Sequence, residues 1–502
     1  MAPARRDSQF RRQIRPSFLA LLLLLLILPP VVRAQFLFIT NNGAITITSY
    51  NGTNAVVIIP DNTNGLPITS IGGAAFSYRQ MSTVTIPNSV TNLGHSAFWG
   101  CASLTSIAIP SSIVEVRSGT FAHCTGLTNI TLPPSVTSLG HSAFYACLSL
   151  RAIEISQSVT NLGWSAFEYC GALTSVTVPR AVTYWGKFVF AHCASLREAV
   201  ISSRQVGTNA FESCTNLTGV TLNPGVSSIA ERAFYLCQNL TNFTIPDTVS
   251  AIGDGALQYC SSLTSIIVPG SVTTIGHYPF ASCISLTNVT LPEGLKEITV
   301  SMFESCVQLA NLTIPQSVTT VRAYAFRSCS NLSTLTIPDN VNIIGEYVFR
   351  NCTSLTNLII GNGVTSISYE AFRSCTNLAA VYFRGHGPSL GANAFNAAPA
   401  TIYYLPGTRN WQPTLGGRPT ALWHLPNPLI LGHPSAFGLN TNRFSFVISW
   451  ATNIPVVVEA CASLANPVWS PLVTNALTGG TFSFSDPDWT NHSLRIYRLR
   501  AP

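Results

Sequence analysis

The side chains best suited to chemistry in this 502-residue chain are its 14 cysteines. Thirteen keep a beat: Cys101, Cys124, Cys147, Cys170, Cys193, Cys214, Cys237, Cys260, Cys283, Cys306, Cys329, Cys352 and Cys375. Each interval is 23 residues except the 21 between Cys193 and Cys214, and Cys461 stands apart. Thiols can ligate zinc, pair as disulfides or act as nucleophiles. Zinc needs its ligands gathered around one ion, and a 23-residue gap without any CxxC pair sets no such geometry. A disulfide wants Cβ atoms about 3.8 Å apart and turned toward each other. Equivalent residues of stacked strands instead point the same way, about 4.8 Å apart, and the return side of a curved stack spreads further still. The spacing therefore predicts free, buried thiols that act as small hydrophobes and no metal site.

Other catalytic signals are thin. GHSAF at Gly94–Phe98 and Gly140–Phe144 resembles a nucleophile elbow but lacks the second glycine. The chain has no HExxH, no P-loop and no GxGxxG, and its nine His and 19 acids are scattered. No catalytic residue and no cofactor are predicted, so the chain reads as a non-enzyme. The net charge of +7 suggests nucleic acid only until it is located. Residues 1–34 carry six arginines against one aspartate, five of those seven charges. No basic footprint is left for DNA or RNA. With 47 % hydrophobic and 9 % charged residues, intrinsic disorder is excluded as well.

What must position the thiols is a repeat. Three residues before each beat cysteine stands Phe, replaced once by Leu257. In a helical turn the two would share the inward face, giving a core of Phe98, Cys101, Phe121, Cys124, Phe144, Cys147, Phe234, Cys237, Phe326, Cys329 and their equivalents. The full unit reads CxxLTxIxIPxSVTxLGxxAFxxC. In Leu127–Pro133, Ile130 and Leu132 alternate with Asn129 and Thr131, a short half-buried strand. The closing proline has no N–H to donate and ends the ladder. One such coil cannot bury its apolar face alone, and stacked coils can.

A 23-residue period with LxxIxI falls in the leucine-rich repeat range. The pattern resembles the BspA-like leucine-rich repeats of bacterial and protist surface proteins, from Val56 to Leu405. That resemblance implies adhesion or matrix contact. The usual Asn after the strand is missing, so the Asn ladder of that fold should be absent. The predicted fold class is a β-rich α/β solenoid of 23-residue coils, each with one short parallel strand and a short helical or 3-10 turn. A small all-β, sandwich-like domain follows.

The organisation read from the chain is a signal peptide at 1–34, a β cap at 35–55, the solenoid at 56–400, a second cap at 401–424, a linker at 425–434 and the all-β module at 435–502. The first segment has an arginine-rich start, a leucine run and small residues before Gln35, the layout of a cleaved secretory signal. Export to the outside or the cell surface follows, with no membrane span in the mature chain. The module's VVVEACASLANPVWSPL, SDPDW and RIYRLR segments look like a C-terminal module of secreted bacterial proteins.

Solenoids present their strand sheet as a concave binding surface. Here its outward positions include Thr131, Glu154, Thr177, Glu198, Thr221, Thr244, Thr290, Thr313, Thr336 and Tyr382, with Arg384 beyond. These are the candidate ligand contacts, for an extracellular protein or polysaccharide. Self-association into a structural surface layer is the alternative, and a polysaccharide-active enzyme the remote one.

Overall fold

The computed structural model describes residues 35–423, 429–431, 437–440, 443–449, 455–465, 467–477 and 481–500. The leader read at 1–34 lies outside the described residues. Among them, no helix is long and apolar enough to cross a membrane.

Each coil makes three passes. The first is the LTxIxI strand, with Ile or Val inward and Thr, Asn or Ser outward. Asn129–Thr131 runs parallel to Ser106–Ala108 and in register, so that Ile130 sits beside Ile107 and Thr131 beside Ala108. The same pairing links Thr334–Ile337, Asn357–Ile360, Ala380–Phe383 and Thr401–Tyr404. Proline then turns the chain, its carbonyl accepting the N–H three residues on, as Pro133 does from Val136 at 3.0 Å. The second pass is a two-residue strand, as where Ser138–Leu139 pairs with Asn161–Leu162. Where the sequence predicts one strand per coil, the structure has two.

The third pass, AFxxC, corrects a second expectation. No helix occurs in the solenoid among the described residues; the 3-10 turn at Trp489–Asn491 belongs to the C-terminal module. Consecutive β-turns stand in its place. The N–H groups of Ala97, Trp99 and Cys101 close on the carbonyls of Gly94, Ser96 and Phe98 at 3.2, 3.0 and 3.3 Å. Those of Ser96, Phe98 and Gly100 donate to Ser118, Thr120 and Ala122 of the next coil at 2.9, 2.9 and 2.8 Å. Residues two before and two after the ring are left-handed, as Ser142 and Ala146 are around Phe144. The reason is spatial. A helix is about 10 Å wide, roughly twice the coil-to-coil distance set by strand pairing, so helices cannot ride on every coil. Hydrogen bonds between coils also hold this side together, so it does not spread as expected.

Within the stack, Phe121, Phe144, Phe167 and Phe190 follow one another with ring centroids 5.5, 5.1 and 5.2 Å apart and nearly parallel planes. The thiols lie beside them, all buried and unpaired. Each repeat thiol donates to the carbonyl of the ring-position residue one coil back, Leu257 for Cys283 and Phe for the others: Cys124 to Phe98 at 3.1 Å, Cys329 to Phe303 at 3.0 Å. The Phe98 and Phe303 carbonyls already accept the N–H groups of Cys101 and Cys306, so the thiol takes the second lone pair. Burial pushes the thiols of Cys170, Cys283 and Cys375 up to about 12. The predicted small hydrophobe is also a staple between coils.

Corner hydroxyls stand where an Asn ladder would. Ser135 donates to the Ile113 carbonyl at 2.7 Å and Ser271 to that of Val249 at 2.7 Å. The 21-residue coil lacks two residues at this corner. There Ser203 is buried, accepting from Trp185 Nε1 at 3.2 Å and donating to the Gln205 carbonyl at 2.8 Å. Trp185, where Leu139 and Leu162 stand in earlier coils, fills the space.

A hairpin of Phe36–Asn41 and Ala44–Tyr50 closes one end, and its second strand pairs in parallel with Leu66–Ile71. At the other end Thr401–Tyr404 pairs with Arg418–Leu422, which folds back on Thr414–Leu415. The C-terminal module has two antiparallel sheets. Arg443–Ser449 lies among Leu429–Leu431, Phe437–Asn440 and Thr481–Asp486, while Pro455–Cys461 lies between Ser470–Ala476 and Ile496–Arg500. Phe446, Ile448 and Phe484 of the first sheet meet Val456 and Val458 of the second. Leu429–Leu431 falls within the stretch read as a linker and is a strand of this module.

Candidate functional site

Two kinds of hydroxyl line each coil, and only one is free to meet a ligand. Corner hydroxyls are spent on the stack: Thr128 donates to the Thr105 carbonyl at 3.1 Å and Thr160 to that of Thr137 at 3.2 Å. Mid-strand hydroxyls are not. Thr131, Thr177, Thr221, Thr244, Thr290, Thr313 and Thr336 are exposed. Among the described residues, they bond to no other protein group. Glu154 and Glu198 are likewise exposed on this face, and Arg384 lies 4.0 Å from Asp339.

Of the predicted contacts, the structure brings together Thr313, Thr336 and Tyr382. They line a groove of about 550 Å³ with Asn311, Thr334, Asn357 and Trp423. The other threonines and the two glutamates lie along the same face, outside the groove. It opens at an irregular coil. Strand pairing is interrupted at Asn311–Ile314, between the sheet ending at Asn288–Thr290 and the one starting at Thr334–Ile337.

The C-terminal wall of the groove is aromatic. Tyr382 holds an outward strand position and pairs with Tyr403 in the next strand. Their rings stack at 5.1 Å and 17°. Trp423 leans on Tyr382 at 4.9 Å, anchored by its N–H to the Tyr404 carbonyl at 2.7 Å. Sequence reasoning singled out Tyr382 but read Thr401–Leu405 and Trp423 only as a cap. The missed signal was register: the strand alignment that makes Tyr403 the neighbour of Tyr382 puts Trp423 just past Leu422 on the following strand.

Two further clusters lie on the turn face. Trp99, His123 and Tyr145 follow one another at 5.0 and 5.2 Å, and Tyr169 stacks on His192 at 4.5 Å. Farther along, the nearly buried Glu370 meets Arg373 at 2.6 Å and Arg350 at 3.3 Å. Desolvation pushes its carboxyl up, but bonds from Tyr369 and Arg373 and the two guanidinium charges leave it below the usual range. These contacts hold coils together. Among the described residues, no three His, Cys, Asp or Glu converge as metal ligands would.

The sequence matches the family described as BspA type leucine rich repeat region, in six copies over residues 69–197, 186–310 and 273–405. No curated protein matches it. Among solved structures, the fold is similar to a leucine-rich repeat protein from Bacteroides ovatus ATCC 8483. Identity is 25 %, coverage is 74 % of this chain and 93 % of that one, and the TM-score is 0.59. A leucine rich cell surface protein from Faecalibacterium prausnitzii A2-165 is 26 % identical over 65 % of this chain and 93 % of its own, with a TM-score of 0.38. With the repeat matched over more than half its length and coils stacked through rings and thiols, the chain belongs to the BspA-type leucine-rich repeat family.

Proposed function

We infer that this is an exported, non-catalytic binding protein whose strand-face groove takes a polysaccharide chain. The observation that carries the reading is the junction of an aromatic platform, Tyr382 and Trp423, with unspent polar groups at Thr313, Thr334, Thr336 and Asn311, beside Asn357, whose Nδ2 donates to Thr356 Oγ1 at 3.2 Å. A sugar ring offers an apolar C–H face to stack on an aromatic plane and a rim of hydroxyls to exchange hydrogen bonds. A few oriented polar groups beside an apolar surface are what a selective small site needs. The groove carries no Lys, Arg, Asp or Glu among the described residues lining it, which suits a neutral glycan better than an acidic one. Glycoside hydrolysis uses two carboxyl groups flanking the scissile bond, and this lining offers none. Export rests on the leader-like residues 1–34.

The test is a paired screen of the mature chain against a polysaccharide panel and a matrix-protein panel, with light scattering to establish its mass. Retention by a neutral polysaccharide, as a monomer, supports the reading. Binding confined to matrix proteins, polymerisation without a ligand, or turnover of a bound glycan each overturns it.

A further inference from the structure

The first coils carry aromatic rings on the outside of the turn pass as well as inside it. The two residues after each of Phe76, Phe98, Phe121 and Phe144 read Ser77-Tyr78, Trp99-Gly100, Ala122-His123 and Tyr145-Ala146. Each pair holds one ring and one small residue, and none holds Lys, Arg, Asp or Glu. Tyr78 is 70 % exposed, while Trp99, His123 and Tyr145 are half-buried. The four rings form an unbroken series. Trp99 Nε1 donates to the Tyr78 hydroxyl at 3.1 Å, His123 lies 5.0 Å from Trp99, and Tyr145 lies 5.2 Å from His123.

Coil packing does not account for the Tyr78 ring. Its backbone is left-handed, with φ of 60°, a conformation that favours glycine, and Gly100 holds the same place one coil on. A ring so exposed gains little burial to offset that strain. Its placement is nonetheless specific. A Cβ on Gly100 would come 2.6 Å from a Tyr78 ring carbon, and one on Gly119 would come 3.0 Å from a ring carbon of Trp99. Each ring therefore leans along the stack over a glycine of the next coil. The indole N–H is joined to the phenol oxygen, so the polar edges of the two rings meet each other, and what they offer solvent is apolar ring face. Exposed apolar patches with polar rims mark binding surfaces. This one repeats from coil to coil, and its counterpart is a chain that repeats too. A linear glycan brings at every unit an apolar C–H face to lie on an aromatic plane and hydroxyls to meet polar ring edges such as those of His123 and Tyr145. The absence of charge from the four pairs leaves nothing to pair with an acidic or basic polymer.

We propose that Tyr78, Trp99, His123 and Tyr145 form a second glycan site, on which a neutral linear polysaccharide lies along the turn face with sugar rings packed on Tyr78 and Trp99. It shares the groove's ligand class and none of its residues, so either site can fail alone. An open strip buries less of a ligand than a groove does and is the weaker of the two.

The experiment measures affinity of the full mature chain for xylan, mixed-linkage β-glucan, dextran and pullulan by calorimetry, in the parent and in Trp423→Ala. Trp423→Ala should keep a residual affinity at least tenfold below that of the parent. Adding Tyr78→Ala or Trp99→Ala to it should remove that residual binding. A second readout needs no change in the strip: nitration of Tyr78 by tetranitromethane, followed by peptide mass, should slow at least threefold in Trp423→Ala at saturating polysaccharide. If Trp423→Ala binds as the parent does, the groove reading fails, and Tyr78→Ala should then weaken binding on its own. The proposal is overturned if Trp423→Ala retains no binding or if its binding is the same with and without Tyr78 and Trp99. It is also overturned if polysaccharide leaves the nitration of Tyr78 unchanged, or if Tyr78→Ala alters binding to matrix proteins alone.

Discussion

Phe243 stands edge-on to Phe234, with ring centroids 5.1 Å apart and planes at 67°. The coil it belongs to is the one whose ring position is Leu257, while the coils on either side carry Val220 and Ile266 at the inward strand position. An aromatic has moved from one wall of the coil to another, keeping the core filled. Leu257→Phe alone should therefore overpack the core and cost about 1–3 kcal/mol. Combined with Phe243→Ile it should fall back to less than about 1.5 kcal/mol, the range of a volume-conserving exchange. A double-mutant cycle by urea denaturation reads the coupling; additive losses would mean the two sites do not share space.

The inside and outside of the coil make a second contrast. Phe234→Ala removes a ring from the stack and should cost about 3–5 kcal/mol. Thr244→Ala, exposed and unbonded, should stay within about 0.5 kcal/mol. Similar shifts in chemical denaturation would contradict the assignment of faces.

Ser142 separates two accounts of the turn pass. It is left-handed, with φ of 53°, and donates its N–H to Trp164 in the next coil at 2.7 Å. A non-glycine residue in that region is strained by roughly 1 kcal/mol or more, so Ser142→Gly should raise the unfolding midpoint. In a helical turn the same change would destabilise by up to about 1 kcal/mol. A lowered midpoint would revive the helix.

That contrast also explains what the sequence left hidden. Phe144 and Cys147 share an inward face whether the turn is helical or a run of β-turns, so their spacing cannot separate the two. Glycine would have marked the left-handed positions, but Ser142, Ala146, Ser165 and Tyr169 occupy them; strain relieved by hydrogen bonds between coils leaves no mark in one coil's residues. The ring and thiol columns were legible because identical side chains recur where coils touch. So was the outward face of the strands, from the alternation around Ile130. The groove was only partly legible. Its floor, Thr313 and Thr336, lies on the repeat, while Trp423 lies past the last beat, where only strand register connects it to Tyr382.

The thiol column predicts a pH dependence. Burial raises Cys170, Cys283 and Cys375 from 9.0 to about 12 in the fold. The folded state thus keeps protons that the unfolded chain loses. Stability is undiminished below pH 9 and falls as pH climbs toward 12, by about 1.4 kcal/mol per pH unit for each such thiol. Urea midpoints should hold between pH 7 and 8.5 and drop steeply above 9.5. Replacing these three cysteines by Ala should lessen the drop without removing it, because burial raises Cys147, Cys237, Cys260, Cys306, Cys329 and Cys352 as well. Iodoacetamide at pH 8 should label the repeat cysteines only after denaturant is added. Labelling in the native state would contradict their burial.

The groove carries the functional account, and its wall is the place to test it. On a polysaccharide that retains the mature chain, Trp423→Ala and Tyr382→Ala should each weaken binding at least tenfold. Thr131→Ala, on the same face but outside the groove, should leave it unchanged. The most direct measurement is the calorimetric affinity of Trp423→Ala for that polysaccharide beside the parent protein. A tenfold or greater loss with the thermal midpoint preserved is the predicted result, and an unchanged affinity would contradict the account.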